Sequence, residues 1–302
     1  MLEPRISVVI PTKNRKQEVE RAIQSVLAQQ DVKLTIIVVD DGSTDGTADY
    51  ISGKYPQITL IRNTTSKGGA KARNDGAGSA DEDYIAFLDS DDEWLPHHLK
   101  TAIGLMKDQQ ADGVFGPFFL AKEDAHQQVT FSSPKTPGGR VADLIFSFRR
   151  FDARTSTFVF KREVFNAVRF DDDLRKHQDW DLAIRFDAAF AWAVSNEPTV
   201  LIHVPTSGRM SSSLNHEATH YFLKKHAGTV KPDNLFAFCL KQIMRSQLAG
   251  ESRAFVDQYL EVVAPLFSKL SGKNRLVYWL VKKRLLNIGL AYKIRRKISP
   301  AS

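Results

Sequence analysis

The chain has 302 residues, 42% of them apolar and 25% charged, which suits one large domain or two modest ones with a buried core and excludes a disordered chain. The net charge of +7 is local: residues 269–302 carry ten Lys or Arg and no Asp or Glu, so the rest of the chain is near −3. A near-neutral body argues against a nucleic-acid partner, while the basic tail points to an anionic surface. The single cysteine, Cys239, excludes an internal disulfide and a zinc pattern and fits a reducing compartment. The start, Met1-Leu2-Glu3-Pro4, lacks the regions of a signal peptide. No run approaches the ~18–20 apolar residues of a membrane-spanning helix. The expected location is therefore cytoplasmic.

Ile6-Ser7-Val8-Val9-Ile10-Pro11 reads as a β-strand ended by proline. Residues 16–29 place Val19, Ala22, Ile23, Val26 and Leu27 at helical spacing. A second buried strand, 34–39, ends in Asp40-Asp41-Gly42-Ser43, and a helix over 44–55 follows with Ser43 or Thr44 as its cap. Strand 58–62, helix 70–80, strand 84–88 and helix 96–110 continue the alternation. Continuous apolar strands alternating with helices predict an α/β fold, with a mostly parallel sheet covered on both faces. The second half is less regular. Strands are expected over 114–120, 156–161 and 199–204, a helix over 179–189, and loops over 132–140 and 207–215. Beyond about residue 220 the pattern is helical.

Ligands of an open parallel sheet bind outside the carboxyl ends of its strands. Three strands here end in polar clusters: Pro11-Thr12-Lys13-Asn14, Asp40-Asp41-Gly42-Ser43 and Asp89-Ser90-Asp91-Asp92. The last cluster repels itself unless something positive occupies it. A divalent cation holding phosphate oxygens is the simplest occupant, since Mg2+ and Mn2+ favour oxygen ligands. The alternative is a helix cap, with Asp91 or Asp92 closing the segment that begins near Trp94 and Pro96. Asp40-Asp41-Gly42-Ser43 has a similar alternative, a tight turn with a cap. No Gly-x-Gly-x-x-Gly follows the first strand and no Gly-Lys-Ser/Thr occurs, which argues against dinucleotide and P-loop sites.

Four segments in register carry a resemblance: Ile6 to Asn14, Val39-Asp40-Asp41-Gly42-Ser43-Thr44-Asp45, Gly69-Ala70-Lys71-Ala72-Arg73-Asn74 and Phe87-Leu88-Asp89-Ser90-Asp91-Asp92. In order and spacing the chain resembles family 2 glycosyltransferases of the GT-A fold, densely over residues 5–115 and more thinly to about 205. The resemblance implies a GT-A domain over 1–225, with a nucleotide-sugar half (1–115) and an acceptor half (116–225), followed by a basic helical extension (226–302). It implies an inverting transfer from a nucleotide-sugar, UDP-linked first; the basic tail points to a hydroxyl of a surface polysaccharide or lipid-linked glycan as the acceptor. Pro11 and Thr12 would line the nucleoside pocket. Asp41, with Asp40 beside it, would accept from the base. Arg73 would lie near the diphosphate or the base, or else pair with Asp75 or a neighbouring acid. Asp91 would ligate Mn2+ or Mg2+ directly, Asp89 would hold ribose or metal-bound water, and Asp92 would cap the next helix.

Such a transfer needs a base opposite the leaving group. Lys176-His177-Gln178-Asp179-Trp180-Asp181 is similar to the family's Glu-Asp motif, with Gln178 where Glu is commoner. Asp179 falls on the base position, and Asp181 is the alternative. A helix N-terminus there would favour the ionised carboxylate. Trp180 is expected in the core, His177 exposed or at the acceptor, and Arg209 on a serine-rich loop from which it could close on the diphosphate. The tail, 275–298, mixes Trp, Leu and basic residues, as in a helix lying on an anionic bilayer surface; packing on the body is the alternative. Two rival functions fit parts of the pattern: a metal-dependent nucleotidyltransferase or phosphohydrolase, and a non-catalytic nucleotide-sugar-binding scaffold at the membrane.

Overall fold

The structure is a computed structural model and describes residues 3–122, 125–129, 141–147, 152–203 and 214–292. The expected loops over 132–140 and 207–213, and Arg209 with them, lie outside the described residues. The chain divides into two compact units: Met1–Val141 with Arg150–Arg209, and Ala142–Arg149 with Met210–Ser302.

The first unit contains β1 (Arg5–Thr12), α1 (Lys16–Leu27), β2 (Lys33–Asp40), α2 (Thr47–Lys54), β3 (Thr59–Arg62), α3 (Gly69–Gly78), β4 (Tyr84–Phe87), β5 (Glu93–Trp94), α4 (His98–Asp108), β6 (Gly113–Phe115), β7 (Phe118–Lys122) and β8 (Ala125–Val129). After the short helix α5 (Val141–Ser147) come β9 (Val159–Lys161), α6 (Arg162–Val168), α7 (Gln178–Asp187), β10 (Trp192–Val194) and β11 (Val200–His203). The main sheet runs β10-β6-β9-β4-β1-β2-β3, and a smaller sheet runs β5-β11-β7-β8. In the main sheet β9 alone is antiparallel to its neighbours, β4 and β6; the remaining pairs are parallel.

The apolar strands are continuous because both faces are covered. Alternate residues divide the work. Val8, Ile10 and Val38 join Val19, Ile23 and Val26 of α1 and Leu99 and Ile103 of α4 in one core. On the opposite face Gly76 of α3 meets Val9 and Val39, while Phe87 packs on Phe165 and Phe170 at 4.7 and 5.3 Å between ring centres. Register then sets the rim. Thr12 lies opposite Asp40 and Val9 opposite Phe87. Asp41 N–H donates to the Thr12 carbonyl at 2.8 Å and Leu88 N–H to that of Val9 at 3.1 Å. Three polar strand ends thus open side by side.

Several expectations change. The helix expected from residue 44 begins at Thr47, after Gly46 at φ +81°; Asp45 accepts from Thr47 N–H at 3.0 Å, and Ser43 is spent elsewhere. The strand expected over 114–120 is broken at Gly116-Pro117, and its halves, β6 and β7, belong to different sheets. Residues 155–157 form one 3-10 turn, so only the end of the expected 156–161 strand pairs. No helix follows Asp92 directly: β5 intervenes and α4 starts at His98 without a side-chain cap.

The second unit holds α8 (His216–His226), α9 (Pro232–Leu248), α10 (Arg253–Val263) and α11 (Gly272–Lys282). Phe146 of α5 stacks on Phe222 at 5.4 Å. Asp143 accepts from Lys231 N–H at 2.9 Å and fixes the start of α9.

Gly76 shows how closely α3 rides on the sheet. A methyl group there would stand 2.5 Å from Val9 Cγ1 and 3.0 Å from Val39 Cγ2. Gly104, inside α4, has open space around it. Gly76→Ala is expected to destabilise the fold by about 1–2 kcal/mol, overpacking outweighing helix propensity. Gly104→Ala is expected to stabilise it by about 0.5–1 kcal/mol. Urea unfolding reads both; shifts of the same sign would contradict the packing described.

Candidate active site

At the ends of β1 and β2 the chain staples its own loops. Asn14, at φ +51°, receives Thr44 N–H on its side-chain oxygen at 2.8 Å, and its own N–H donates to Ser43 Oγ at 2.9 Å. Pro11 is half-buried and Thr12 buried beside them. Asp40 accepts from Ser43 N–H at 2.7 Å through Oδ1. Its Oδ2, like Thr12 Oγ1, is buried without a hydrogen-bond partner among the described residues. Two such atoms at adjacent strand ends are poised for a polar ligand.

Asp41 is committed differently. Its carboxylate accepts from Asn63 Nδ2 (3.1 Å), Ser66 Oγ (2.7 Å), Lys67 N–H (2.8 Å) and Gly68 N–H (2.9 Å). Burial works against the charge, but the backbone N–H of Lys67 and the other donors prevail and hold the carboxyl below its ordinary range. The four bonds fill the acceptor capacity of a carboxylate, so Asp41 organises the loop 63–68 ahead of α3. Gly42, at φ +80°, lets that loop approach: a Cβ there would stand 2.9 Å from Ser66 N.

Beyond β4, Asp89, Asp91 and Asp92 bring carboxylate oxygens within 4.8 Å of one another. Burial, then Asp89, pushes the Asp91 carboxyl above its ordinary value, against the pull of Arg15, whose guanidinium lies 2.9 Å away. Asp92 is buried and pushed further up by burial, Asp89 and Asp91. It accepts from Ser156 Oγ at 2.5 Å and from His203 N–H at 3.3 Å. Asp92 is therefore a buried member of the cluster and not the expected helix cap. The donor set fits a hard divalent cation: it is all carboxylate, tightly spaced, and under mutual repulsion that a positive charge relieves.

Arg73 joins this cluster to the opposite wall. The guanidinium pairs with Asp89 and donates to Gln178 Oε1 at 2.9 Å, lying 5.3 Å over the Phe170 ring. Asp75 instead receives Lys67 and Lys71, at 3.1 and 3.2 Å. The loop before α7 is tied to α3 by Asn74, which donates to the Phe170 carbonyl at 2.8 Å and accepts its N–H at 3.1 Å.

Asp179 lies in the first turn of α7 and is half-buried. It accepts from Trp180 N–H at 2.9 Å. Burial pushes its carboxyl up to about 6, with Arg154 opposing and Asp152 and Asp89 adding to the rise. The helix N-terminus, expected to favour the ionised form, is outweighed. A carboxylate titrating near 6 is well placed to take a proton at neutral pH. Asp181, the alternative, is fully buried and bound to Arg185 at 2.7 Å, so its charge is already matched. Trp180 is half-buried, with Nε1 donating to Asp152 at 3.1 Å. His177, at φ +64°, stacks on Trp180 at 4.9 Å.

Four supporting residues carry no motif. Ser156 Oγ bridges Asp92 to the Asp89 N–H, which donates to it at 3.1 Å. Arg15 pairs with Asp91. Asp152 holds Arg154 at 2.6 Å and Trp180 with its other oxygen, so the pair backs Asp179. Lone polar residues in loops give no periodic signal, although Arg154 two residues after Asp152 is a spacing that local pairing could have suggested. Arg154 is the opposing charge near Asp179. In Arg154→Met the Asp179 carboxyl, followed by carbon-detected NMR, is expected to titrate above its wild-type value near 6; an unchanged or lower value would contradict the assigned coupling.

Comparisons with known proteins give the family and the fold. The family model described as glycosyl transferase family 2 matches residues 7–173. Amylovoran biosynthesis glycosyltransferase AmsB of Erwinia amylovora is 31% identical over 72% of this chain and 75% of its own. WfaP of Escherichia coli, a UDP-Glc:alpha-D-GlcNAc-diphosphoundecaprenol beta-1,3-glucosyltransferase, is 35% identical over 43% of this chain and 51% of its own. Among solved structures, S. aureus TarS 1-349 in complex with UDP-GlcNAc superposes with a TM-score of 0.72 at 16% identity, covering 96% of this chain and 91% of that one; it shares the fold. The strand-end motifs, the rim they form and the family match lead to one conclusion: this chain belongs to glycosyl transferase family 2 and is a glycosyltransferase.

Proposed function

We propose that the protein is an inverting, metal-dependent glycosyltransferase that moves one sugar from a UDP-sugar to a hydroxyl of a polysaccharide or lipid-linked glycan acceptor. The observation that carries this reading is Arg73, which touches Asp89 on one side and Gln178, the neighbour of Asp179, on the other. The acid cluster suited to a diphosphate–cation pair and the first turn of α7, which carries a carboxylate suited to a base, are therefore joined through one arginine. The names of AmsB and WfaP support a polymer or lipid-diphosphate acceptor, and the nucleotide of the TarS complex supports UDP.

In this reading Pro11, Thr12 and the open oxygen of Asp40 line the nucleoside pocket, and Asp41 shapes its wall through the loop 63–68. Asp91 and Asp89 would hold Mn2+ or Mg2+, which when bound neutralises charge on the leaving diphosphate. Arg73 adds a fixed positive charge on the same side. Asp179 takes the acceptor hydroxyl proton as that oxygen bonds to the anomeric carbon. The bond from this carbon to the diphosphate breaks on the opposite face, and the nucleoside diphosphate leaves. One displacement gives inversion. An acceptor on a lipid carrier would place the enzyme at the cytoplasmic face of a membrane. No helix among the described residues is long and apolar enough to cross one.

Two substitutions separate the roles. Asp179→Asn is expected to keep donor binding and lower transfer by about 10²–10⁴-fold. Asp91→Ala is expected to lose the metal-dependent part of donor binding. Thermal shifts with UDP-, GDP- and dTDP-sugars plus Mn2+ rank the donors without an acceptor. Full transfer by Asp179→Asn would remove the base assignment, and a preference for GDP- or dTDP-sugars would remove the UDP assignment. For wild type, the transfer rate should fall as pH drops through about 6, where Asp179 gains its proton.

A further inference from the structure

Eight large apolar side chains are exposed among the described residues, and six of them lie between Phe267 and Tyr292. Clustering of this kind marks a contact surface, whereas scattered exposed apolar residues mark nothing. The centre of the cluster is α11. One side of this helix is fixed within its own unit: Tyr278 and Val281 are buried. Tyr278 packs on Phe236 and Phe267 at 6.0 and 5.1 Å between ring centres, and Asn274 donates to Asp233 at 2.8 Å. The Val281 carbonyl accepts from Arg253 at 3.0 Å.

With one stripe so held, residues three and four apart on the other side face outward together. These are Arg275, Leu276, Trp279 and Lys282, with Lys283 at the C-cap; past the helix end Arg284, at φ +63°, and Leu285 are also exposed. Leu276 is 58% exposed, Trp279 47% and Leu285 65%, too open to be partners of this unit's own core. Around them residues 272–292 supply Lys273, Arg275, Lys282, Lys283 and Arg284 and no acid. Lys282 lies 5.8 Å over the Tyr278 ring at the edge of the face.

We propose that this outward face of α11 docks on an anionic lipid bilayer surface, with Trp279 and Leu276 entering the headgroup region and Arg275, Lys282, Lys283 and Arg284 meeting lipid phosphates. The inference rests on the membrane placement proposed above and names the surface that makes it. Charge decides the occupant. A second copy meeting this face across a two-fold axis would bring like charges together, and an apolar partner would leave the cations unpaired. Trp and Leu flanked by Lys and Arg on a helix that cannot span matches an interfacial anchor.

Sedimentation of the full chain with vesicles tests this. Binding is expected to equimolar phosphatidylcholine and phosphatidylglycerol, not to phosphatidylcholine alone, and to weaken as salt is raised. Replacing Lys282, Lys283 and Arg284 by Gln is expected to reduce partitioning on the order of 100-fold. Leu276→Ser with Trp279→Ser is expected to reduce it by about 10-fold or more. Unchanged thermal midpoints identify these variants as folded. Equal binding to both vesicle types, or wild-type binding by either variant, would overturn the proposal. So would concentration-dependent self-association without lipid that the double Ser variant abolishes. Loss of vesicle binding with transfer to a soluble acceptor intact removes only the docking surface. The reverse pattern removes the proposed transfer.

Discussion

Three carboxylates within 4.8 Å are a liability that the rest of the first unit is arranged to manage. Burial raises Asp91 and Asp92, and the like charges at this distance add to the rise by driving one another toward the protonated form. The compensation comes from separate parts of the chain. Arg15 follows β1, Arg73 sits on α3, Ser156 lies in the turn before β9, and the His203 N–H ends β11. The parallel pairing of β1 with β4 sets their ends side by side, the antiparallel β9 begins at the same rim, and β11 reaches it from the smaller sheet. The cluster is thus a tertiary feature, although three of its acids are neighbours in sequence.

The same arrangement explains how Asp179 acquires its character. Its loop is anchored to α3 by Asn74, and Arg73, one residue earlier on that helix, reaches both Asp89 and Gln178. One helix therefore positions the two sides of the site. Burial raises Asp179, while Arg154, held by Asp152, keeps the rise moderate. Gln178 in place of an acid follows from this setting. A second charge beside Asp179 would push it higher still and compete for Arg73, whereas an amide accepts the arginine and donates to the Leu174 carbonyl at 2.7 Å.

Much of this was legible in the residues. The runs Val8 to Ile10 and Ile36 to Val39 read as buried strands because nothing interrupts them, and each ends in residues that cannot continue a core. Order and spacing of those ends were enough for the family and the fold. Most of what escaped had no local signal, Gly116-Pro117 being a breaker that could have been read. The run Phe158 to Phe160 is as apolar as a parallel strand, and the reversed direction of β9 follows only from its slot between β4 and β6. Gly116-Pro117 divides a stretch that hydrophobicity alone reads as one strand. Asp92 had the composition of a cap, yet Ser156, 64 positions away, claims it. Asp41 shared a motif with Asp40, and only the return of loop 63–68 distinguished the saturated carboxylate from the open one.

The central claim is that the strand-end carboxylates hold the donor diphosphate together with a divalent cation. Calorimetric titration of UDP into the wild-type protein, with Mn2+ and then with chelator, tests it most directly. The cation is expected to tighten UDP binding by about tenfold or more, within the usual range of coupling between two ligands. Equal affinity in the two conditions would contradict it.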